Sequence, residues 1–77
     1  MARTFPPDLV QTQREWIRTY ELLARSPART LLRYRLQRLS CRIAQHPYWA
    51  GAGRSRAAQT ELRRQARAAE RREAGAA

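Results

Sequence analysis

Residues 26–49, SPARTLLRYRLQRLSCRIAQHPYW, decide the fold that the sequence predicts. Pro27 disfavours helical geometry at Ser26, so a preceding helix ends here. Ser26 is then expected to serve as the N-cap of a new helix, with Pro27 at its first position. Pro47 ends this helix, which we predict to run to residue 45 or 46. Its apolar stripe at helical spacing is Ala28, Leu32, Leu36, Leu39 and Ile43.

The segment before Ser26 predicts a helix over about residues 7–25. Pro6 and Pro7 followed by Asp8 form a helix start signal, because proline suits the first turn and an acid there complements the helix dipole. One face is predicted to collect the apolar residues Leu9, Val10, Trp16, Ile17, Tyr20, Leu23 and Ala24. So short a connection predicts that the two helices pair as an antiparallel hairpin.

Tyr48 and Trp49 follow the proline that ends the second helix. A chain leaving that helix emerges near the start of the first one, so this pair is expected to close the end of the hairpin against Leu9 or Val10, with Phe5 nearby. Large aromatic side chains commonly fill this role in small cores. The alternative is that both aromatics are exposed as an anchor for a partner.

The rest of the chain divides into a hinge and a basic tail. Residues 50–55 contain Gly51 and Gly53 and predict a flexible hinge after a hairpin unit of residues 1–49. Residues 56–77 are rich in strong helix formers but contain a single large apolar residue, Leu62. We expect a helix over about residues 56–73, frayed or only weakly docked, with disorder as the alternative. The predicted fold class is therefore all-α.

Length and composition limit how this fold is stabilised. A chain of 77 residues buries a smaller fraction of its surface than a larger one, and its one cysteine cannot form an internal disulfide. We therefore expect a homodimer with a four-helix arrangement, or a stable protein partner. The sequence shows no apolar run long enough for a signal peptide or a membrane span, which favours a cytoplasmic protein without membrane association.

Catalysis finds little support in the sequence, and we expect no enzyme activity, no cofactor and no metal site. The only histidine, His46, precedes a helix-ending proline and is expected to interact with the helix dipole, with no carboxylate beside it to complete a catalytic set. Cys41 lies five residues earlier, on another face, and is expected to be a small buried or half-buried residue.

The strongest signal is a net charge of +10, carried entirely by arginine. Such a field attracts polyanions, and arginine rows predict binding to phosphates that is tolerant of sequence and sensitive to salt. The candidate nucleic-acid-binding residues are Arg35, Arg38, Arg42, Arg63, Arg64, Arg67 and Arg71. A solvated polar face is the alternative interpretation.

A protein partner is the second functional hypothesis. It predicts an adaptor or regulatory protein that presents a helical surface and binds its partner through exposed apolar residues. The candidates for this surface are Leu22, Leu31 and Tyr34. Binding to a lipid surface is less consistent with the pattern, because the apolar faces of the two hairpin helices are best used on each other.

The hairpin sequence also resembles small uncharacterised proteins of GC-rich actinobacteria. The similarity lies in the Pro-Pro-Asp start at residues 6–8, the helix around Trp16 and the His-Pro-Tyr-Trp segment at residues 46–49. It covers the hairpin and leaves out the basic tail. The resemblance implies a bacterial origin and brings no activity, ligand or site residues with it.

Overall fold

The computed structural model describes residues 4–52 and 55–76, and the fold there is all-α, as predicted. Four helices follow one another: α1 (Pro7–Arg25), α2 (Thr30–Ala44), α3 (Tyr48–Ala52) and α4 (Arg56–Ala76). No strand occurs within these two described ranges.

The hairpin of α1 and α2 is confirmed, but its turn differs from the prediction. Ser26 caps the end of α1, because its N–H reaches the carbonyl oxygens of Leu22 and Leu23 at 3.0 and 3.2 Å. Its own carbonyl accepts from the N–H of Arg29 at 3.1 Å, which closes a turn around Pro27. Proline is at home in the second position of such a turn. Helix α2 therefore starts three residues after Pro27, with Arg29 as N-cap, and the prediction that Ser26 caps it is wrong.

The long helices form a flat layer with α1 in the middle. Both α2 and α4 pack along α1, and the molecule measures 37 × 30 × 18 Å. Leu9 near the start of α1 shares a buried cluster with Leu62 of α4, and Arg18 further along α1 meets Glu70. Helix α4 therefore runs parallel to α1, and its own start lies at the open end of the hairpin.

The predicted aromatic closure is confirmed. Trp49 is buried in one cluster with Phe5, Leu9 and the α4 residues, and Tyr48 packs against it. The Phe5 ring lies 5.2 Å from that of Tyr48 and 6.5 Å from that of Trp49, in tilted arrangements that favour aromatic pairs. The Trp49 indole Nε1 donates to the carbonyl oxygen of Ile43 at 2.6 Å, which fastens α3 to the end of α2.

The hinge and the docking of the tail differ from the prediction. Residues 48–52 form α3, so the predicted hinge at 50–55 is helical in its first part, while residues 53 and 54 lie outside the described ranges. The prediction that the basic helix is weakly docked is wrong, because Ala58, Leu62 and Ala66 are all at most 1% exposed. The stripe is thin but buried, because Ala58 and Leu62 pack in one cluster with Leu9 of α1 and the aromatic side chains.

Burial on α1 also departs from the predicted face. Tyr20 is 54% exposed, although the apolar pattern placed it towards the core. Gln13 and Thr19 are buried instead, each 4% exposed. The Thr19 hydroxyl donates to the carbonyl oxygen of Glu15 at 2.8 Å, which satisfies it within the helix. A helix with neighbours on two sides buries residues outside a single apolar stripe.

Candidate functional site

Three of the predicted arginines lie together on α2. Arg35, Arg38 and Arg42 follow one another at steps of three and four residues and line one shallow pocket, to which Tyr34 and Glu15 also contribute. We call these three arginines and Tyr34 the α2 basic face. All four side chains are exposed, and the Arg38 guanidinium carbon lies 6.0 Å from the Tyr34 ring centre. An arginine over an aromatic ring at this distance makes a cation–π contact.

The α2 basic face has no acid in its own helix to neutralise it. Residues 26–49 contain no Asp or Glu. Within the described part of the chain, Arg35, Arg38 and Arg42 make no ion pair, although Glu15 lies at the edge of their pocket. Their charge is therefore left to solvent and to whatever anion approaches.

The arginines of α1 are used differently. Arg14 and Arg18 point to α4, where Glu70 receives Arg14 at 3.1 Å and Arg18 at 2.5 and 3.0 Å. Glu73 completes the set as a second partner of both. The hydrogen bond from Arg18, with further help from Arg14, holds the pKa of Glu70 below its ordinary value against the opposing effect of burial. Glu70 in turn raises the pKa of Arg18. Two acids of the basic tail thus neutralise Arg14 and Arg18.

The four tail arginines do not join the α2 basic face. Arg64 pairs with Glu61 of its own helix at 3.0 Å, while Arg67 and Arg71 are exposed. Arg63 is exposed as well, and it lines a different pocket that lies between α2 and α4. No described residue of α4 lines the pocket of the α2 basic face. The predicted row along α4 therefore forms a second basic surface.

The three residues predicted for a protein partner are exposed. Leu22 is 50%, Leu31 78% and Tyr34 61% exposed. Leu22 is near the end of α1 and Leu31 near the start of α2, so both lie at the turn end of the hairpin. The structure adds Tyr20, which stacks on Trp16 with ring centres 5.3 Å apart while remaining half exposed.

His46 has a carboxylate partner that the sequence analysis did not predict. Its Nε2 lies 2.8 Å from Oδ2 of Asp8, and its Nδ1 accepts from the backbone N–H of Tyr48 at 3.1 Å. An Nδ1 that accepts a hydrogen bond leaves Nε2 as the donor, which assigns the tautomer. The hydrogen bond from His46 holds the pKa of Asp8 below its ordinary value. The pair ties the start of α1 to the end of α2.

Cys41 is exposed, which contradicts the expectation of a buried or half-buried thiol. It lies on α2, a helix without acids, and no described group of three His, Cys, Asp or Glu side chains is placed to hold a metal ion. None of the described helices is long and apolar enough to cross a membrane.

One feature of the structure was missed entirely by the sequence analysis. A groove of about 330 Å³, here called the central groove, lies over the middle of α1 between α2 and α4. Its lining comprises Gln13, Trp16, Ser40, Ile43, Ala44, Trp49, Gln59, Leu62 and Arg63. Gln13 was the available signal, because it sits four residues from both Leu9 and Ile17 and interrupts an otherwise apolar stripe.

Comparison with known proteins identifies a family but no better-known relative. Neither the curated proteins nor the solved structures include a match to this chain. The family DUF8825, described as a domain of unknown function, matches residues 8–65. This range contains α1, α2, α3 and the first half of α4, and it includes both the α2 basic face and the lining of the central groove. Since the match covers about three quarters of the sequence, the chain belongs to the DUF8825 family.

Proposed function

We propose that this protein is a non-catalytic, cytoplasmic nucleic-acid-binding protein of bacterial origin that contacts phosphates through the α2 basic face. The observation that carries the proposal is that Arg35, Arg38 and Arg42 make no ion pair within the described part of the chain. Arginines that already pair with carboxylates, such as Arg14 and Arg18, have their charge compensated. The guanidinium groups of α2 keep all their donors for a phosphate oxygen, which arginine grips with two parallel hydrogen bonds.

Tyr34 adds an aromatic surface to the same face. Its ring is 61% exposed and lies beside Arg38. Aromatic rings next to a basic groove stack with bases of single strands in a way that tolerates any sequence. The α2 basic face thus combines phosphate contacts with a stacking platform, and it favours binding with little sequence preference.

The second basic surface, on α4, supports the same function more weakly. Arg63, Arg67 and Arg71 are exposed, but Arg64 is paired with Glu61. A long nucleic acid is attracted by both surfaces, since long-range charge attraction depends on the total field. Close phosphate contacts are expected mainly at α2.

The test measures binding of labelled 20-nucleotide single strands and duplexes by fluorescence anisotropy between 50 and 200 mM salt. A triple variant, Arg35→Gln with Arg38→Gln and Arg42→Gln, is compared with a matched α4 triple, Arg63→Gln with Arg67→Gln and Arg71→Gln. For duplex, the slope of the logarithm of the binding constant against the logarithm of the salt concentration is expected to become shallower by about 2–3 in the α2 triple, since each lost phosphate contact removes about 0.9. The α4 triple removes the same charge and is expected to change the slope less.

Either of two results contradicts the proposal. The first is an absence of binding by the wild-type protein to both DNA and RNA at 50 mM salt. The second is an α2 triple with the same salt dependence as the wild-type protein, which places the phosphate contacts elsewhere.

A helical adaptor that binds a protein partner or a second copy of itself is the alternative, and the exposed Leu22 and Leu31 favour it. Two large apolar residues at one end of the hairpin form a patch of the kind that marks interaction sites. This function predicts a discrete complex that persists at moderate salt and is lost in Leu22→Ser with Leu31→Ser. Light scattering of the purified protein and a nuclease-treated pull-down measure self-association and partner binding, and a monomer that captures only nucleic acid contradicts the adaptor.

A further inference from the structure

The central groove has the form of a ligand site. Its floor is α1, its walls are α2 and α4, and Trp49 closes it towards the aromatic cluster. A volume of about 330 Å³ lies at the lower end of the range of roughly 300–1,000 Å³ that small-molecule sites occupy. The groove is therefore suited to one small molecule and is too small for a helix of a partner protein.

Three of the six polar side chains along the groove already have partners. The Trp16 indole donates to the Ser40 hydroxyl at 2.8 Å, and that hydroxyl donates to the carbonyl oxygen of Leu36 at 2.9 Å. The Trp49 indole is bonded to Ile43. The two indoles thus offer the groove their carbon surfaces rather than their N–H groups.

Three polar side chains that line the groove have no partner within the described protein. Within the described residues, the amides of Gln13 and Gln59 and the guanidinium of Arg63 have no hydrogen-bond partner. Gln13 is the decisive one, because it is only 4% exposed and lies in the floor. Its amide atoms are not sealed from the groove, because Arg14 Nε is the only described side-chain atom that is both fully buried and without a partner. The donor and the acceptor of the amide are therefore open to whatever occupies the groove. A ligand that pairs with this amide accounts for its presence.

We propose that the central groove binds a nucleotide, with the base against the indole surfaces that line it and the phosphate on Arg63. A carboxamide presents one donor and one acceptor, which matches the paired donor and acceptor on the edge of a nucleobase. The carbon surfaces of Trp16 and Trp49 suit a flat ring, and an exposed guanidinium suits a phosphate. The shared chemistry is that of a free mononucleotide and of a base turned out of a single strand.

The groove is independent of the α2 basic face. Gln13 lines the central groove, and Glu15 lines the pocket of the α2 basic face. Residues two apart on a helix point about 200° away from one another. The two sites therefore lie on opposite sides of the flat layer. Loss of phosphate binding at α2 leaves the groove intact, and the reverse also holds.

The experiment follows tryptophan fluorescence, because both tryptophans of the chain line the groove. Each of the four ribonucleoside monophosphates, the matching nucleosides and a short single-stranded oligonucleotide are titrated separately, with inorganic phosphate as a control. Saturable quenching is expected with at least one monophosphate or with the oligonucleotide. Quenching by a monophosphate identifies the free nucleotide as the ligand, and quenching by the oligonucleotide alone identifies an extruded base.

Two variants test the assigned contacts. Gln13→Leu keeps the side-chain volume and removes the amide, and it is expected to weaken binding at least tenfold, whereas Gln37→Leu on the exposed side of α2 leaves it unchanged. Arg63→Gln changes an exposed residue, so folding is expected to be preserved. It is expected to weaken the binding of the monophosphate and to leave the binding of the nucleoside unchanged. A thermal melt confirms that each variant is folded.

The proposal is overturned by the absence of saturable quenching up to millimolar concentrations of every monophosphate and of the oligonucleotide. It is also overturned if folded Gln13→Leu binds as tightly as the wild-type protein. The α2 triple variant serves as a further control, because it is expected to lose the salt-dependent binding of duplex while keeping the quenching by mononucleotide. The two proposals therefore fail separately.

Discussion

Helices α2 and α4 are both rich in arginine, yet they use their charge in opposite ways. Helix α4 has six arginines and three glutamates, and every one of those glutamates is in an ion pair. Two of the three, Glu70 and Glu73, bind arginines of α1 and help to hold α4 in place. Helix α2 has four arginines and no acid, and none of those arginines is in a described ion pair, although Arg38 lies over the Tyr34 ring. Net charge alone does not tell which basic helix is available to a partner.

The apolar sides of the two helices show the same contrast. Helix α2 is rich in leucine, but Leu39 is its only buried residue and Leu31 is largely exposed. Helix α4 has one leucine, and that residue is among the most buried in the chain. The difference arises because Ala58 and Leu62 pack in one cluster with Leu9 of α1 and the aromatic side chains. The helix that the sequence presents as an appendage is therefore a structural one, and α2 keeps more surface for binding.

The largest expected effect comes from truncating equivalent leucines on the two helices. Leu62→Ala leaves a cavity in the cluster around Trp49 and Leu9, and it is expected to lower the free energy of unfolding by about 2–5 kcal/mol. Leu31→Ala makes the same chemical change on α2 at a residue that is 78% exposed, and it is expected to change the free energy by less than about 0.5 kcal/mol. Urea unfolding followed by circular dichroism measures both. Equal losses would contradict the burial of Leu62 and the exposure of Leu31.

Local signals in the sequence predicted much of the helical arrangement. The prolines at 6, 7 and 47 set the start of α1 and the end of α2, and the aromatic closure followed from the direction in which the chain leaves the hairpin. The grouping of the α2 arginines also followed from helical spacing. The contact between Arg14 and Glu70 joins residues 56 positions apart, and no local pattern reveals such a pair. The central groove was missed for the same reason, since its lining comes from four helices.

The second-largest effect is expected from removing the ion pairs between Glu70 of α4 and the arginines of α1. Glu70→Gln removes the negative charge that Arg14 and Arg18 share and replaces one acceptor oxygen with an NH2 donor, at a side chain that is 19% exposed. The expected loss in the free energy of unfolding is about 1 kcal/mol, a modest figure because water still reaches the pair. Glu21→Gln is the matched control on an exposed acid of α1 and is expected to be neutral. A neutral Glu70→Gln would show that apolar contacts alone hold α4.

The same contact predicts a pH dependence. The pKa of Glu70 is lower in the folded chain than in the unfolded chain, so the stabilisation is complete above the unfolded value, near 4.5. It is lost as the pH falls below that value towards the lowered pKa of the folded state. The difference in thermal midpoint between the wild-type protein and Glu70→Gln is therefore expected to shrink from pH 6 to pH 3. A difference that stays constant over this range would assign the effect of the substitution to packing rather than to charge.

The smallest effect concerns the charge that α2 leaves unused. Arg38 lies three residues from Arg35 and four from Arg42, and like charges at these spacings destabilise a helix by about 0.2–0.5 kcal/mol each. Its contact with Tyr34 opposes this by a similar amount, about 0.5–1 kcal/mol. Arg38→Gln is therefore expected to leave stability within about 0.5 kcal/mol of wild type. Thermal melts at 20 and 500 mM salt measure the balance, because salt screens the repulsion and is expected to shift the variant relative to wild type in the unfavourable direction. A clear loss of stability at low salt would show that Arg38 stabilises the fold. Helix α2 would then resemble α4, whose charged side chains make contacts within the protein.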